Sequence, residues 1–320
     1  MGLGSLLVLG AMGVVGAYGY AQEQEKNEKA RKISQDAQDL YDNAKELLEE
    51  EQKEAQEALL QYGKAKIDAL DGSVKKFVQV YEHIQEISLK EIRGIDKIAK
   101  YIIDIQKVAQ LREMSSLFQH TLTEDPAGNA AFVRFGAGTT SSLSILASSI
   151  VMPSVISIGA TADENLEKAE TMYEEAESAF VRMRMSKISC ICISNQANMF
   201  YKFFVELEEM FSKCVDLLDG VVKNKVVSYK KTVLQSYDLT TAEKKFAAVT
   251  CAFAGIMKTM IETPIISEDG TLPMEASDIY NDLRFNGFFQ LSQMVRELER
   301  KLGQQEDDEE ELTGLIACTN

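Results

Sequence analysis

The residues best suited to chemistry are five cysteines and two histidines, and their spacing favours structural roles. Cys190 and Cys192 form a Cys-x-Cys pair with no second pair and no histidine nearby. In a helix these side chains would point about 200° apart. We expect both to be small buried residues, as free cysteines usually are. The odd cysteine count, without a disulfide framework, favours free thiols in a reducing compartment.

The motifs of common enzyme classes are missing from the sequence. His83 and His120 are far apart, and neither has a ligand-like partner three or four residues away. Gly136-Ala-Gly138 lacks the third glycine and the preceding strand of a dinucleotide-binding loop. There is no phosphate-binding Gly-x-x-x-x-Gly-Lys-Ser/Thr loop, no Gly-x-Ser-x-Gly elbow and no His-Glu-x-x-His zinc motif. We therefore expect a protein that is not an enzyme and holds no metal and no cofactor.

Composition predicts a folded, helical protein. The chain has 320 residues, of which 45% are hydrophobic, and 34 basic against 50 acidic residues give a net charge of −16. This balance argues against nucleic acid as a partner, because binding to phosphates needs clustered Lys and Arg. The four prolines (Pro126, Pro153, Pro264 and Pro273) leave two long stretches without any. Because proline costs about 3 kcal/mol inside a helix, these stretches favour an all-α fold.

An uncharged segment opens the sequence. Leu3 to Tyr20 is apolar or glycine apart from Ser5, and its 18 residues approach the lower limit for a membrane-spanning helix. Glycine recurs every third residue, which thins one side of the helix and lets another helix approach closely. These residues are Gly10, Gly13, Gly16 and Gly19.

The flanking charges set an expected orientation for this segment. Lys26, Lys29, Arg31 and Lys32 follow it and no Lys or Arg precedes it, so we expect a single-pass segment with a cytoplasmic body. Two alternatives to a membrane segment stay open. One is a signal peptide that is cleaved after Ala21, and the other is a glycine-rich helix that packs against the protein's own body.

A second uncharged segment covers residues 135–162, between Arg134 and Asp163. It mixes serine and threonine with apolar residues, of which we single out Leu143, Leu146, Ile150 and Val151 as membrane or helix-packing candidates. Its polarity and Pro153 make it a weak membrane span. A hairpin that dips into a membrane and the small-residue interior of a soluble bundle both fit it.

Two long charged arms flank the second segment. Ile33, Ala37, Leu40, Ala44 and Leu47 follow the 4-3-4-3 spacing of a coiled-coil-like seam. We expect the first arm to be helical over 23–120, with a bend or break near Asp71-Gly72, and with one shared face formed by Ile98, Ile102, Ile105 and Ala109. The second arm resumes at residue 163 and is expected to run antiparallel to the first.

The C-terminal third predicts shorter helices. Thr240 and Glu243 fit a capping box at a helix start, and a last helix is expected from about Glu275 to Leu302. Six consecutive acids at 306–311 mark a tail. The predicted divisions are an N-terminal apolar helix (1–22), a first arm (23–125), a central apolar segment (126–162), a second arm (163–236), C-terminal helices (237–303) and an acidic tail (304–320).

This arrangement resembles a bacterial family of largely uncharacterised helical proteins, often loosely labelled chemotaxis proteins. The features that carry the resemblance are the charged arm from Glu23 to Gln119, the uncharged segment Phe135–Ala162, the restart at Glu164-Asn-Leu-Glu-Lys-Ala and the stretch from Thr263 to Leu272. The resemblance implies arms around an apolar segment and no established activity. At the level of shape the chain also looks like α-helical pore-forming toxins, an analogy of architecture alone.

The sequence leaves three functions open. The leading one is a membrane-associated helical protein, structural or membrane-remodelling, whose partners are a lipid membrane and another helical protein or a second copy. The second is a soluble helical scaffold that binds a partner and buries both uncharged segments. The third is a toxin-like pore former that acts through residues 135–162.

Overall fold

The computed structural model describes residues 4–84, 92, 94–124, 161–267 and 271–300, with the backbone alone at 4–19 and 117–124. Within these ranges the fold is all-α, as predicted. The one strand-like feature recorded there is an isolated parallel bridge between Ile84 and Leu234.

The helices follow one another with two π-helical insertions. Their bounds are α1 Gly4–Ala69, a π turn Leu70–Val74, α2 Lys75–Tyr81, α3 Ile105–Glu124, α4 Ala162–Tyr229, α5 Thr241–Glu262, α6 Met274–Asn281, a π segment Asp282–Phe288 and α7 at 289–300. Short 3-10 turns lie at Ala99–Tyr101 and Ser236–Asp238.

The described residues form two compact units. The first unit contains α1 up to Ala55 and α4 up to Cys192, and the second unit contains the other described residues. Helices α1 and α4 run through both units.

The two long helices run parallel in each unit, so the predicted antiparallel arrangement is wrong. In the first unit Lys26 Nζ lies 2.6 Å from Asp163 Oδ1, and 25 residues further along α1 Glu51 Oε1 lies 3.3 Å from Lys187 Nζ. Residue numbers therefore rise together along both helices. In the second unit the ring pairs Tyr62–Phe204 and Phe77–Phe211 repeat this order.

The connection between α2 and α4 explains the parallel direction. A short loop makes successive helices antiparallel, but here the chain first returns through α3. Ser115 Oγ of α3 donates to the carbonyl oxygen of Leu70 over 3.0 Å, and Arg112 pairs with Glu82, so α3 runs opposite to α2. After α3 the chain can enter α4 in the direction of α1.

The first unit is held by a narrow strip of mostly small residues. The buried positions on α1 are Ala30, Ala37, Tyr41, Ala44, Leu48 and Ala55, and those on α4 are Ala162, Ala169, Ala176, Ala179, Met183 and Cys190. The steps along each helix are three, four or seven residues, the spacing of one helix face. The predicted seam is partly wrong, because Leu47 is 46% exposed and Leu48 is buried in its place.

The second unit has an aromatic core. Tyr62 meets Phe200 and Phe204 edge-on, and Phe203 meets Tyr280 and Phe288 in the same way. Edge-to-face contacts of this kind suit the charge distribution of aromatic rings. Around this core α4 and α6–α7 run one way, since Phe203 lies by Tyr280 and Lys213 pairs with Glu299. Helix α5 runs the opposite way, because Lys225 near the end of α4 pairs with Glu243 at the start of α5, whereas Tyr62 contacts both Phe200 of α4 and the Met260 carbonyl near the end of α5.

The first arm is not one helix over 23–120. It continues through the π turn to Tyr81, so the weak point near Asp71-Gly72 is a π turn and not a break. Residues 102–104 are not helical, and Ile105 is 66% exposed instead of sharing a buried face with Ile98. The reason is tertiary: Ile98, Tyr101 and Ile103 are buried, and the backbone at Tyr101 packs directly against Gly255 of α5.

The C-terminal predictions agree with the structure. Glu243 N donates to Thr240 Oγ1 over 3.2 Å, and Thr240 N donates to Glu243 Oε2 over 2.6 Å, so the predicted capping box opens α5. The last predicted helix corresponds to α6, the π segment and α7. The acidic tail at 304–320 lies outside the described residues.

Candidate functional site

The first candidate region is the end of the first unit at which α4 begins. Helix α4 starts directly after the second uncharged segment, and a capping box fixes that start. Glu164 N donates to Thr161 Oγ1, and Thr161 N donates to Glu164 Oε2, each over 3.3 Å. This box satisfies two backbone donors that a helix start leaves open.

The position of α1 beside this start follows from two polar contacts. Besides the Lys26–Asp163 ion pair, Asn165 Nδ2 donates to Asn27 Oδ1 over 3.0 Å. Lys26 is the first basic residue after the N-terminal uncharged segment, and Asp163 is the first charged residue after the second one. The two junctions between uncharged and charged sequence therefore lie side by side in the first unit.

The predicted membrane residues themselves fall beyond the described side chains. Gly10, Gly13, Gly16 and Gly19 lie in the part of α1 for which the backbone alone is described. Residues 126–160, with Leu143, Leu146, Ile150 and Val151, lie outside the described residues. Among the residues described with their side chains, no helix is long and apolar enough to cross a membrane.

The second candidate region is the turn that follows α4. The helix ends at Tyr229, and Lys230 takes a left-handed conformation with φ 50°. Lys230 N donates to the Val227 carbonyl over 3.3 Å, and Lys231 N donates to the Val226 carbonyl over 3.2 Å. This pair of bonds is a Schellman motif, in which the left-handed residue is usually glycine.

Lys231 organises the aromatic residues of this turn. Its Nζ lies 5.0 Å from the centre of the Tyr237 ring and 5.8 Å from that of Tyr229. It also donates to both carboxylate oxygens of Asp238, over 2.6 and 2.8 Å. Hydrogen bonding to Asp238 raises the pKa of Lys231, so the ammonium is charged at neutral pH.

Contacts with the end of α2 hold the turn in place. Leu234 N donates to the His83 carbonyl over 2.8 Å, and His83 Nδ1 lies 2.9 Å from the carbonyl oxygen of Thr232. Leu234 is fully buried. The turn is thus a fixed part of the second unit.

Around these anchors the turn exposes several large apolar side chains. Val227 is 76% exposed and Tyr237 is 77% exposed. Large exposed apolar residues are common singly, whereas a cluster marks an interaction site. We call the cluster the turn surface, defined as Val227, Tyr229, Lys230, Lys231, Val233 and Tyr237.

Around the turn surface, the lysines are more exposed to solvent than the carboxylates with which they pair. Residues 220–237 contain four lysines and no acid. Three of these lysines pair with carboxylates that are less exposed than they are. The Asp238 side chain is 7% exposed against 36% for Lys231, and Asp219 is 16% exposed against 72% for Lys223. Lys225 likewise covers the buried Glu243.

A groove of about 470 Å³ lies next to the turn, between α2 and α4. Its lysines are neutralised by carboxylates: Lys76 contacts Asp216 and Asp219, and Lys75 contacts Asp71. These pairs leave the groove without an excess of positive charge, and we assign no ligand to it.

The structure also separates the two cysteines that the sequence treats alike. Cys190 is buried, and burial raises the pKa of its thiol to about 11, whereas Cys192 is exposed. The expectation that both are buried is wrong for Cys192, because positions two apart lie on nearly opposite sides of a helix. In the described part of the chain, no three His, Cys, Asp or Glu side chains are grouped to hold a metal ion.

The turn surface was missed at the sequence level because residues 163–236 were assigned to one helical arm. The sequence does indicate the end of the helix in one stretch, Val226-Val-Ser-Tyr-Lys-Lys-Thr-Val-Leu234. There, lysines and β-branched residues follow one another without helical periodicity.

No family model, no curated protein and no solved structure matches this chain.

Proposed function

We propose that the protein is a non-enzymatic, membrane-associated helical protein, structural or membrane-remodelling, and that both uncharged segments reach the same membrane. The observation that supports this proposal is the Lys26–Asp163 ion pair. It places side by side the points at which the two segments enter the first unit. Both segments therefore adjoin the same end of the first unit, which favours contact with a single bilayer.

The length and charge of the first segment support the same proposal. Its 18 residues would extend about 27 Å as a helix, close to the roughly 30 Å of a hydrocarbon core. Helix α1 begins at Gly4 and continues without interruption into the charged arm. The basic residues that follow the segment favour a cytoplasmic body. Protease protection of the body in intact cells tests this orientation.

Vesicle flotation with matched charge substitutions tests the membrane proposal. Full-length protein should float with phosphatidylcholine vesicles and resist extraction by high salt. Val14→Lys or Leu146→Lys should each weaken flotation, and the double variant should abolish it, because a charge is costly in hydrocarbon. Val181→Lys is the matched control, since Val181 is exposed on α4 in the first unit. Recovery of the wild type in solution, without detergent and without binding to vesicles, would contradict the proposal.

A soluble partner-binding scaffold is the second candidate, and one observation favours it. Val181, Met185, Ile188 and Cys192 are exposed on α4 at four-three-four spacing, which is one face of a helix. Under this alternative the wild type stays in solution, and a charge at Met185 prevents association with the partner helix.

The same vesicles separate the remaining possibilities. Dye leakage that is abolished by charges at Leu146 and Ile150 would favour a pore former. Replacing Gly13 and Gly16 with leucine should weaken self-association yet preserve insertion, because larger side chains push helix axes apart. A lowered melting temperature of detergent-free protein with an unchanged oligomer would instead indicate that the helix packs against the body.

A further inference from the structure

We infer that the turn surface of the second unit docks on the surface of an anionic lipid bilayer. This inference is independent of the two uncharged segments, because every residue that carries it lies in the last turn of α4 or follows that helix, and is described with its side chain.

The composition of the turn surface fits the boundary between water and hydrocarbon. Val227 and Val233 offer apolar side chains, and Tyr229 and Tyr237 offer rings with a polar end. Tyrosine is enriched where a protein meets the interface of a bilayer. Lysines among such residues can remain in the headgroup layer while their stems lie along the apolar surface.

Charge complementarity identifies an anionic surface as the partner. The whole chain is strongly acidic, yet the turn surface itself contains two lysines and no acid, and Asp238, the carboxylate that pairs with Lys231, is less exposed than that lysine. Anionic lipids on a cytoplasmic leaflet attract lysines placed in this way. Nucleic acid also carries negative charge, but it offers no apolar layer for the valines.

The backbone of Lys230 supports a role for its side chain. The left-handed conformation favours glycine over lysine, but the chain places an exposed ammonium at this position. Strained residues of this kind concentrate at functional positions.

A single tryptophan can report on this contact, since the protein has none of its own. Tyr237→Trp places the reporter on the turn surface, and Tyr173→Trp places a control on the exposed face of α4 in the first unit. The full-length variants are mixed with vesicles of phosphatidylcholine alone, or with about one third phosphatidylserine. We expect the emission of the reporter at 237 to shift to shorter wavelength with phosphatidylserine, and the control to stay unchanged.

Substitutions at Lys230 test the electrostatic part. Lys230→Ala should weaken the apparent affinity of the turn surface for phosphatidylserine vesicles about fivefold, which is the contribution expected of one lysine near an anionic surface. Lys230→Arg keeps the charge and should leave the affinity unchanged. High salt should reverse the shift at 237. Val227→Ser should reduce the shift without changing its dependence on salt.

Several outcomes would overturn the inference. These are no shift at 237 in a chain that circular dichroism shows to be folded, an equal shift at both reporters, or an equal shift without phosphatidylserine. A shift that grows with protein concentration alone would indicate contact between two copies, and one produced by RNA would indicate nucleic acid. Flotation on phosphatidylcholine tests the uncharged segments separately, so failure of the proposed function is distinguishable from failure of this inference.

Discussion

Lys26 and Asp163 form an ion pair, with Nζ and Oδ1 2.6 Å apart, at the place where α4 begins beside α1. The pair joins residues 137 positions apart in the chain. Its exposed side chains contribute little to stability, but together with the Glu51–Lys187 pair it shows that the two long helices of the first unit run parallel.

Cross-linking can verify that direction. Asn27 and Asn165 are hydrogen-bonded over 3.0 Å, so cysteines at both positions should be joined rapidly by a short bismaleimide. Cysteines at Asn27 and Lys187 are the control pair and should not be joined, because Lys187 lies beside Glu51. A Cys192→Ser, Cys318→Ser background limits competing reactions. Efficient joining of the control pair would contradict the parallel arrangement.

Stability should rise between about pH 7 and pH 8.5 because of Lys66. This residue is buried in the second unit, where its Nζ donates to the carbonyl oxygens of Ile261 and Thr263 over 3.0 and 3.3 Å. Burial lowers the pKa of Lys66 to about 7. Above that pH the unfolded chain binds more protons than the folded one, so the free energy of unfolding increases by up to about 1.4 kcal/mol per pH unit.

Urea unfolding at several pH values, compared with Lys66→Met, measures this contribution. The variant should lose the rise with pH, whatever its absolute stability. Above about pH 9 the trend should reverse, because burial raises the pKa of Cys214 and Cys251 to about 12 and their ionisation then favours unfolding. Identical slopes in both proteins below pH 8.5 would show that Lys66 does not titrate there.

Lys230→Gly should stabilise the protein. The left-handed conformation of Lys230 costs an L-residue about 1 kcal/mol and costs glycine almost nothing. We expect the melting temperature to rise by about 2 °C. Lys230→Ala is the control, since alanine keeps the strain and removes the charge. An equal gain in both variants would mean that charge, not backbone strain, limits stability at this turn.

Gly255→Ala should destabilise the second unit strongly. A Cβ atom at this position would lie 1.9 Å from the carbonyl oxygen of Tyr101 and 3.0 Å from Ile103 Cγ2. The backbone must move to admit it, so we expect a loss of about 3 kcal/mol. Gly220→Ala in α4 has open space around the added atom and should gain up to about 1 kcal/mol. Denaturant titration of both variants gives the comparison.

Thiol labelling should identify Cys192 as the fast-reacting cysteine among those described. Cys190, Cys214 and Cys251 are buried, and burial raises the pKa of each thiol, which keeps it protonated and unreactive. In a Cys318→Ser background, native protein should therefore react rapidly at one position. Cys192→Ser should remove that phase, and its persistence would indicate that a buried thiol opens to solvent.

The sequence alone determined the helical class and several helix ends. Scarcity of proline and 3.6-residue periodicity act through local backbone energetics, so they predicted α1, α4 and the capping box at Thr240 without knowledge of the fold. A helix irregularity near Gly72 was also predictable, because glycine weakens a helix locally. Its π geometry was not predictable, since insertion of one extra residue depends on what packs against Leu70 and Val74.

Only the tertiary structure decided which helices lie together and in which direction. Periodicity shows that one face of a helix is buried, but it does not show which element covers that face. The sequence pattern therefore fitted a buried Leu47 and a buried Leu48 equally well. The parallel direction depends on α3 returning along α2, a long-range contact with no local pattern. The turn surface also depends on tertiary contacts, because the hydrogen bond from Leu234 to the His83 carbonyl fixes the turn against the end of α2. The residues that form it follow no periodic pattern along the chain, so nothing in the sequence indicated that they share one surface.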